Sequence, residues 1–218
     1  MKGDIIVLEK RHIIVGKTIV TNLLDAIMRS REIYIITVAG ESGSGKSETG
    51  KAICDELASY HIRSVLLGQD DYFVLPPKSN DEKRRKDDEW LGPHVEVRMD
   101  LLEEHIKQAL GGVPVIEKPL IDYERNVIGQ ELVSLEGVRV LVVEGTYTSL
   151  LKNVDARVFI ARNHHDTMAH RQKRNRGNEI GDPFVENILK TEHKIIAGHK
   201  HLADFIISKD FETVQVQS

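Results

Sequence analysis

The sequence has little cysteine, few aromatic residues and no long hydrophobic run. Its single cysteine, Cys54, cannot form an intramolecular disulfide, which excludes a disulfide-bonded scaffold and favours a reducing, cytoplasmic location. No apolar run approaches the roughly 18 residues that a membrane-spanning helix needs, so we expect no membrane partner. The 30 basic and 34 acidic residues give a net charge of −4, without the basic excess of a nucleic-acid-binding protein. The 218 residues therefore predict a soluble globular protein.

Short apolar runs alternate with longer amphipathic segments along most of the chain. The apolar runs are Ile33–Ala39, Val65–Leu67, Val113–Ile116, Val138–Val143, Ala156–Ile160 and, as a candidate sixth, Phe205–Ile207. Near-continuous apolar strands separated by helices are typical of a parallel sheet that is covered on both faces. We predict a three-layer α/β/α fold around a mainly parallel sheet of about five strands.

Three of the predicted helices have recognisable ends. Ser47–Tyr60 follows a glycine-rich turn and has apolar residues at helical spacing. Asp100 precedes an amphipathic run, and Glu103 three residues later predicts a capping box with Asp100 as the N-cap. Asp182, followed by proline, is typical of a helix start. The basic and acidic residues of the run Asp81–Glu89 nearly balance in charge, which predicts a solvated insertion.

Residues 1–30 form a predicted N-terminal extension without assigned chemistry. Within it, Ile5–Leu8 and His12–Val15 predict a small hairpin, and Thr18–Arg29 predicts a helix. Residues 31–218 are then predicted to form a single α/β domain.

The strongest motif is a phosphate-binding loop. The segment GESGSGKS matches G-x-x-x-x-G-K-[ST] between a predicted strand and a predicted helix, which is the context that this motif requires. Backbone N–H groups and the helix N-terminus bind phosphates, Lys46 reaches the β- and γ-phosphates, and the Ser47 hydroxyl binds Mg²⁺. The expected nucleotide-binding residues are Gly40, Ser42, Gly43, Ser44, Gly45, Lys46, Ser47 and Glu48.

Two acidic residues follow predicted strands. Asp70 comes after the second strand, where a carboxylate can accept a proton from an acceptor hydroxyl or contact Mg²⁺. Glu144 closes the strand VRVLVV, which is the Walker-B pattern of a Mg²⁺ ligand. The alternative is that each acid only caps a surface turn.

A basic segment lies between Arg157 and Arg176, with six basic residues and one acidic residue, Asp166. Arg171 and Arg174 are three residues apart and share one face of a helix. Guanidinium groups on such a segment stabilise the charge of a transferring phosphoryl group. The alternatives are a solvated helix face or a nucleic-acid patch, and the latter lacks interleaved aromatic residues.

The chain resembles the uridine kinase/phosphoribulokinase family of P-loop kinases. Four features carry this resemblance by their order and spacing: GESGSGKS, LGQDDYF, VVEG and the arginine-rich segment. The resemblance covers about residues 33–208 and is closest to uridine–cytidine kinases. It implies a P-loop NTPase-type fold, ATP and Mg²⁺ as cofactors, and a helical lid over residues 168–182 that carries Arg171 and Arg174. It also implies that Asp70 is the general base, and that Ser47, Asp70 and Glu144 contact Mg²⁺.

The acceptor site departs from the family pattern. Counting back six residues from Asp100 places His94 where the family has an aspartate on the ribose hydroxyls, and His94 or Glu96 is the candidate substitute. Ile121 and Asn126 stand where the family has tyrosine and histidine. The predicted acceptor contacts are Asp70, Tyr72, His94, Asp122, Tyr123 and Arg171.

These residues predict a kinase that transfers the γ-phosphoryl group of ATP to a hydroxyl of a small molecule, a nucleoside resembling uridine or cytidine. A phosphoribulokinase-like enzyme or another sugar or vitamin kinase is the first alternative. A P-loop ATPase or nucleotide switch with a protein partner is the second. Whether the chain forms a homo-oligomer stays open.

Overall fold

The computed structural model describes residues 6–163, 166–167, 182–212 and 214–216. The described helices are α1 (Lys10–Arg29), α2 (Lys46–Ser59), α3 (Pro77–Lys86), α4 (Met99–Leu110) and α5 (Pro183–Ile196). The described strands are β1 (Tyr34–Gly40), β2 (Ser64–Gly68), β3 (Val115–Asp122), β4 (Val127–Ser134), β5 (Val140–Glu144), β6 (Ala156–Ile160), β7 (Phe205–Ile207) and β8 (Val214–Val216). Short 3₁₀ helices cover Gln69–Tyr72, Thr148–Leu150 and Ala197–Leu202.

The main sheet has the strand order β2-β5-β1-β6-β7-β8. The pairs from β2 to β7 are parallel, and β8 pairs with β7 in the antiparallel direction. Glu144, the last residue of β5, is level with Val38 in β1 and with Gly68 in β2. The predicted mainly parallel sheet is therefore confirmed, and the ends of β1, β2 and β5 meet at one edge.

The sheet separates two hydrophobic cores, because successive residues of a strand point to opposite faces. Ile36 of β1 packs in one core with Ile53 of α2, and α1 covers the same face. Its neighbour Ile35 packs in the other core with Ile106 of α4. These side chains are fully buried, and each stabilises the fold by about 1.5–3 kcal/mol. The three-layer α/β/α prediction is confirmed.

The N-terminal segment forms one long helix, α1, so the predicted hairpin that included His12–Val15 was wrong. Val15 and Ile19 belong to a row of buried residues at helical spacing that faces α2. This helical pattern extends over the whole segment and therefore decides its structure, although the short run at its start is β-branched. A Cβ on Gly16 would lie 2.8 Å from the Ala52 carbonyl carbon, so glycine permits this close helix approach. The predicted helix at Thr18–Arg29 is confirmed as part of α1. In the described ranges, no helix combines the length and hydropathy needed to cross a membrane.

The prediction that Val113–Ile116 belongs to the main sheet was also wrong. This segment leads into β3, which pairs with β4 in a separate antiparallel hairpin. Along β3 exposed and buried residues alternate from Val115 to Lys118, as in a strand with one covered face. A parallel strand in the main sheet would instead be apolar on both faces.

The predicted capping box at Asp100 was wrong as well. Helix α4 has Arg98 as its N-cap, so Asp100 lies inside the first turn. The Glu103 carboxylate accepts hydrogen bonds from the Lys152 N–H and the Asn153 amide instead of the backbone of its own helix. The predicted start of α5 is confirmed, because Asp182 is the N-cap.

Candidate active site

The phosphate-binding loop joins β1 to α2, and the residues predicted to bind nucleotide lie together at this junction. Gly45 is the N-cap of α2 and has a left-handed conformation with φ 101°. The Lys46 ammonium donates a hydrogen bond to the Glu41 carbonyl oxygen at 2.9 Å, on the inner side of the loop. The loop therefore presents the N-terminal N–H groups of α2 and a lysine, which suit a polyphosphate.

The ends of the neighbouring strands bring Ser47, Asp70 and Glu144 together. The Ser47 hydroxyl donates a hydrogen bond to Glu144 Oε1 at 3.1 Å. Burial and, to a lesser extent, the nearby Asp70 carboxylate raise the pKa of Glu144 to about 7, although Lys46 and Ser47 oppose the shift. Glu144 thus contacts the phosphate-binding loop through Ser47, and Asp70 lies close enough to Glu144 for their charges to repel each other.

This donor set fits Mg²⁺. It consists of one hydroxyl and two carboxylates, and Mg²⁺ prefers oxygen ligands while leaving positions to phosphates and water. Among the described residues, no cluster of three or more His, Cys, Asp and Glu side chains offers a dedicated metal site. The two mutually repelling carboxylates of Asp70 and Glu144 would both be stabilised in the charged form by a divalent cation.

Asp70 lines an open cleft. The aromatic residues Phe73, Tyr123 and Tyr147 line it. The polar and charged residues that line it include Asp70, Asn80, Arg84, Glu96 and Glu192. Asp70 thus lies between the phosphate-binding loop and a cavity with the mixed lining of a small-molecule site.

Glu96 is the centre of the cleft's hydrogen-bond network. Its fully buried carboxylate accepts hydrogen bonds from the Gly92 N–H at 3.0 Å, the Asn80 amide at 3.1 Å and Arg84 Nε at 2.8 Å. Arg84 Nη2 lies 2.6 Å from the same carboxylate. Arg84 belongs to the charged run Asp81–Glu89, which is solvated as predicted, but the Arg84 side chain also lines the cleft. The side chain was missed because a balanced charge run carries no pattern that distinguishes a cleft wall from a solvated face.

Several predicted acceptor residues lie elsewhere. Tyr72 is fully buried, and its hydroxyl is 2.8 Å from His105 Nδ1, so the 3₁₀ turn directs Phe73 and not Tyr72 into the cleft. His94 is exposed on the turn, and Glu96 two residues later lines the cleft.

The Asp122 carboxylate accepts a hydrogen bond from the Arg125 N–H at 3.0 Å and so caps the hairpin turn, whereas Tyr123 lines the cleft. Arg171 and Arg174 lie outside the described residues, as does the predicted lid up to residue 181. Their roles stay predictions.

The match to known proteins covers most of the chain. Residues 35–206 match the family described as "Phosphoribulokinase / Uridine kinase family". The chain belongs to this family. The resemblance predicted from the motifs is thereby confirmed, and with it the enzyme class of the family, a phosphotransferase with an alcohol group as acceptor. Membership in this kinase family implies ATP as the phosphoryl donor.

Two relatives and one solved structure are similar to this chain. The kinase is 27% identical over 190 residues to a uridine kinase of Oceanobacillus iheyensis, which covers 83% of this chain and 88% of that protein. It is 28% identical over 187 residues to the bifunctional alpha-galactosidase/sucrose kinase AgaSK of Mediterraneibacter gnavus, and this match covers 81% of this chain but 20% of that protein. The D-glycerate 3-kinase of Cryptococcus neoformans has the same fold, with a TM-score of 0.63 at 13% identity over 93% of this chain and 99% of that one.

Proposed function

We propose that this kinase transfers the γ-phosphoryl group of ATP to a hydroxyl of a nucleoside resembling uridine or cytidine, with Mg²⁺ as a cofactor. One observation carries the proposal: Asp70 lies between the Ser47–Glu144 pair at the phosphate-binding loop and the lined cleft. A general base must reach the proton of the acceptor hydroxyl, and a hydroxyl bound in the cleft next to the phosphate-binding loop would lie close to Asp70.

In the proposed mechanism, the loop N–H groups and Lys46 hold the triphosphate, and Asp70 orients the acceptor hydroxyl and accepts its proton. Ser47, Asp70 and Glu144 would hold Mg²⁺, which neutralises charge on the transferring phosphoryl group when it is bound. Arg171 and Arg174 are the proposed lid residues that add positive charge. The cleft walls hold the acceptor in line and keep bulk water away from the phosphoryl group.

The cleft lining suits a nucleoside. Phe73, Tyr123 and Tyr147 offer aromatic surface to a flat base, and the carboxylate of Asp70 can accept a hydrogen bond from a sugar hydroxyl. The relatives named uridine kinase support the same acceptor class.

A sugar or vitamin acceptor is the second candidate, and the hairpin turn favours it. Asn126, which stands where the family has histidine, accepts a hydrogen bond from the Lys78 N–H at 2.8 Å and so faces α3. Ile121 presents an apolar side chain to the cleft where the family has tyrosine. A site without a side chain that binds a particular hydroxyl discriminates less between the acceptor that carries this hydroxyl and other acceptors.

The test is an ATP-consumption screen over uridine, cytidine, other nucleosides, ribulose 5-phosphate and pantothenate. We expect a phosphorylated nucleoside in the wild type. Asp70→Asn should bind ATP with similar affinity but lose transfer by about 10²- to 10⁴-fold, because the proton acceptor is removed. Asp100→Asn, at an exposed position, is the matched control and should keep full turnover. Hydrolysis of ATP without any phosphorylated acceptor would instead support the ATPase alternative.

A further inference from the structure

Glu192 connects the phosphate-binding loop to the acceptor cleft. It lies on α5, and its Oε1 accepts a hydrogen bond from the Ser42 N–H at 2.7 Å while its Oε2 accepts one from the Ser42 hydroxyl at 2.8 Å. The neighbouring His193 places Nδ1 2.5 Å from Glu41 Oε1, so two consecutive residues of α5 dock on the loop. Glu192 is only 5% exposed, and it lines the cleft.

The charges in the cleft are unbalanced. Among the described lining residues, the carboxylates are Asp70, Glu96 and Glu192, and the single cation is Arg84. Arg84 is engaged with Glu96 at 2.6 Å, so no cation among the described lining residues is paired with Glu192. These carboxylates also act on Tyr147 in the cleft wall. Burial is the main cause that raises the pKa of Tyr147, and the negative charges of Glu192 and Glu96 raise it further.

We propose that Glu192 selects the acceptor by charge, so that the cleft takes an uncharged polyhydroxylated acceptor and rejects its phosphorylated or carboxylated counterpart. This inference rests on the proposed phosphoryl transfer and names the class of its acceptor. Each carboxylate oxygen has two acceptor positions, and Ser42 uses one on each oxygen of Glu192. The remaining positions can accept hydrogen bonds from acceptor hydroxyls, whereas an anionic group in the same place is repelled by the Glu192 carboxylate.

The test uses pairs of acceptors that differ only by one phosphate: uridine against uridine 3′-monophosphate, and ribulose against ribulose 5-phosphate. The measured quantity is the ratio of kcat/KM for the uncharged and the phosphorylated member at saturating ATP. Effects of Glu192 on the phosphate-binding loop act on both members and cancel in this ratio. We expect the wild type to prefer the uncharged member, and Glu192→Gln to lower the ratio by about tenfold or more, because one buried charge near the acceptor is removed.

Two variants control the interpretation. Glu186→Gln removes the same charge from the same helix outside the cleft lining, and the ratio should stay unchanged. Glu192→Asp keeps the charge with a shorter side chain, so it should keep the preference if charge and not shape is responsible. It also keeps the experiment decisive if Glu192→Gln does not fold.

The outcomes separate this inference from the proposed function. A wild-type preference for the phosphorylated member, or a ratio that Glu192→Gln leaves unchanged, would overturn the charge selection while phosphoryl transfer stands. A loss of the preference in Glu192→Asp would assign selection to side-chain shape and also overturn it. If no acceptor of either kind is phosphorylated, the proposed function itself fails, and the inference fails with it.

Discussion

At the scale of single residues, Gly45 is the position where backbone conformation and ligand binding depend on each other. Its φ of 101° is unfavourable for a residue with a side chain, and an added Cβ would lie 3.0 Å from Phe211 Cζ. We expect Gly45→Ala to destabilise the fold by about 1–2 kcal/mol through backbone strain. It should also weaken ATP binding by about tenfold, because the loop N–H groups shift.

Calorimetric ATP titration and thermal unfolding measure these two effects of Gly45→Ala. Gly198→Ala is the matched control, since a Cβ there meets nothing within 4 Å and its φ is not left-handed. Equal ATP affinity in both variants would show that the loop tolerates a side chain at Gly45.

Also at the residue scale, the sequence indicated some site residues and hid others for a physical reason. Ser47 lies in a contiguous motif and Glu144 directly ends an apolar strand, so local pattern alone locates them. Glu96 was one of two candidates that the family spacing offered, whereas Phe73 and Glu192 enter the cleft through a 3₁₀ turn and a distant helix. Their positions depend on tertiary packing, which no short sequence pattern contains.

At the scale of secondary-structure elements, a buried ion pair links the β3–β4 hairpin to the 3₁₀ turn that follows β2. Lys118 Nζ lies 2.7 Å from the Asp71 carboxylate, with the two side chains 5% and 3% exposed, and Asp71 also accepts a hydrogen bond from the Ile121 N–H at 3.0 Å. Asp71 directly follows Asp70, so the pair holds the cleft lining of the hairpin next to the proposed base.

Lys118→Met should therefore destabilise the fold by about 3–5 kcal/mol, because it leaves the buried Asp71 carboxylate without its cation. It should also raise the KM of the acceptor more than that of ATP. Denaturant unfolding and steady-state kinetics measure the two effects. Arg29→Met breaks a pair with Asp25 whose side chains are 81% and 88% exposed, and should change stability by less than about 1 kcal/mol. Similar losses in both variants would argue against the anchoring role of Lys118.

Elements could be predicted where one physical signal dominates. Continuous apolar strands identified the parallel sheet, and the Asp182–Pro183 pair identified the start of α5. The hairpin could not be located in this way, because β4 is exposed at almost every position and carries no alternating pattern. Helix α1 was misjudged at its start because His12–Val15 alone is too short to distinguish a strand from a helix.

At the scale of the whole molecule, buried histidines couple folding to pH. His105 is 3% exposed, contacts the Tyr72 hydroxyl, and packs on the sheet face covered by α4. Burial is the main cause that lowers the pKa of His105 from its ordinary value of 6.5; Glu104 opposes this shift, whereas Lys118 and Arg98 add to it. Burial also lowers the pKa of His199.

A lowered pKa in the folded state means that the unfolded chain binds more protons as the pH falls through 6.5. His105 therefore contributes stability near neutral pH that is lost as the pH falls below 6.5, whereas the raised pKa of Glu144 acts in the opposite direction between its ordinary value of 4.5 and about 7. Denaturant unfolding of His105→Gln at several pH values should show a shallower decrease than the wild type, with a residual slope from His199. His94→Gln, at an exposed position, should keep the wild-type slope. If His105→Gln also keeps it, the acid sensitivity arises outside this core, and the packing of α4 on the sheet does not depend on a neutral His105.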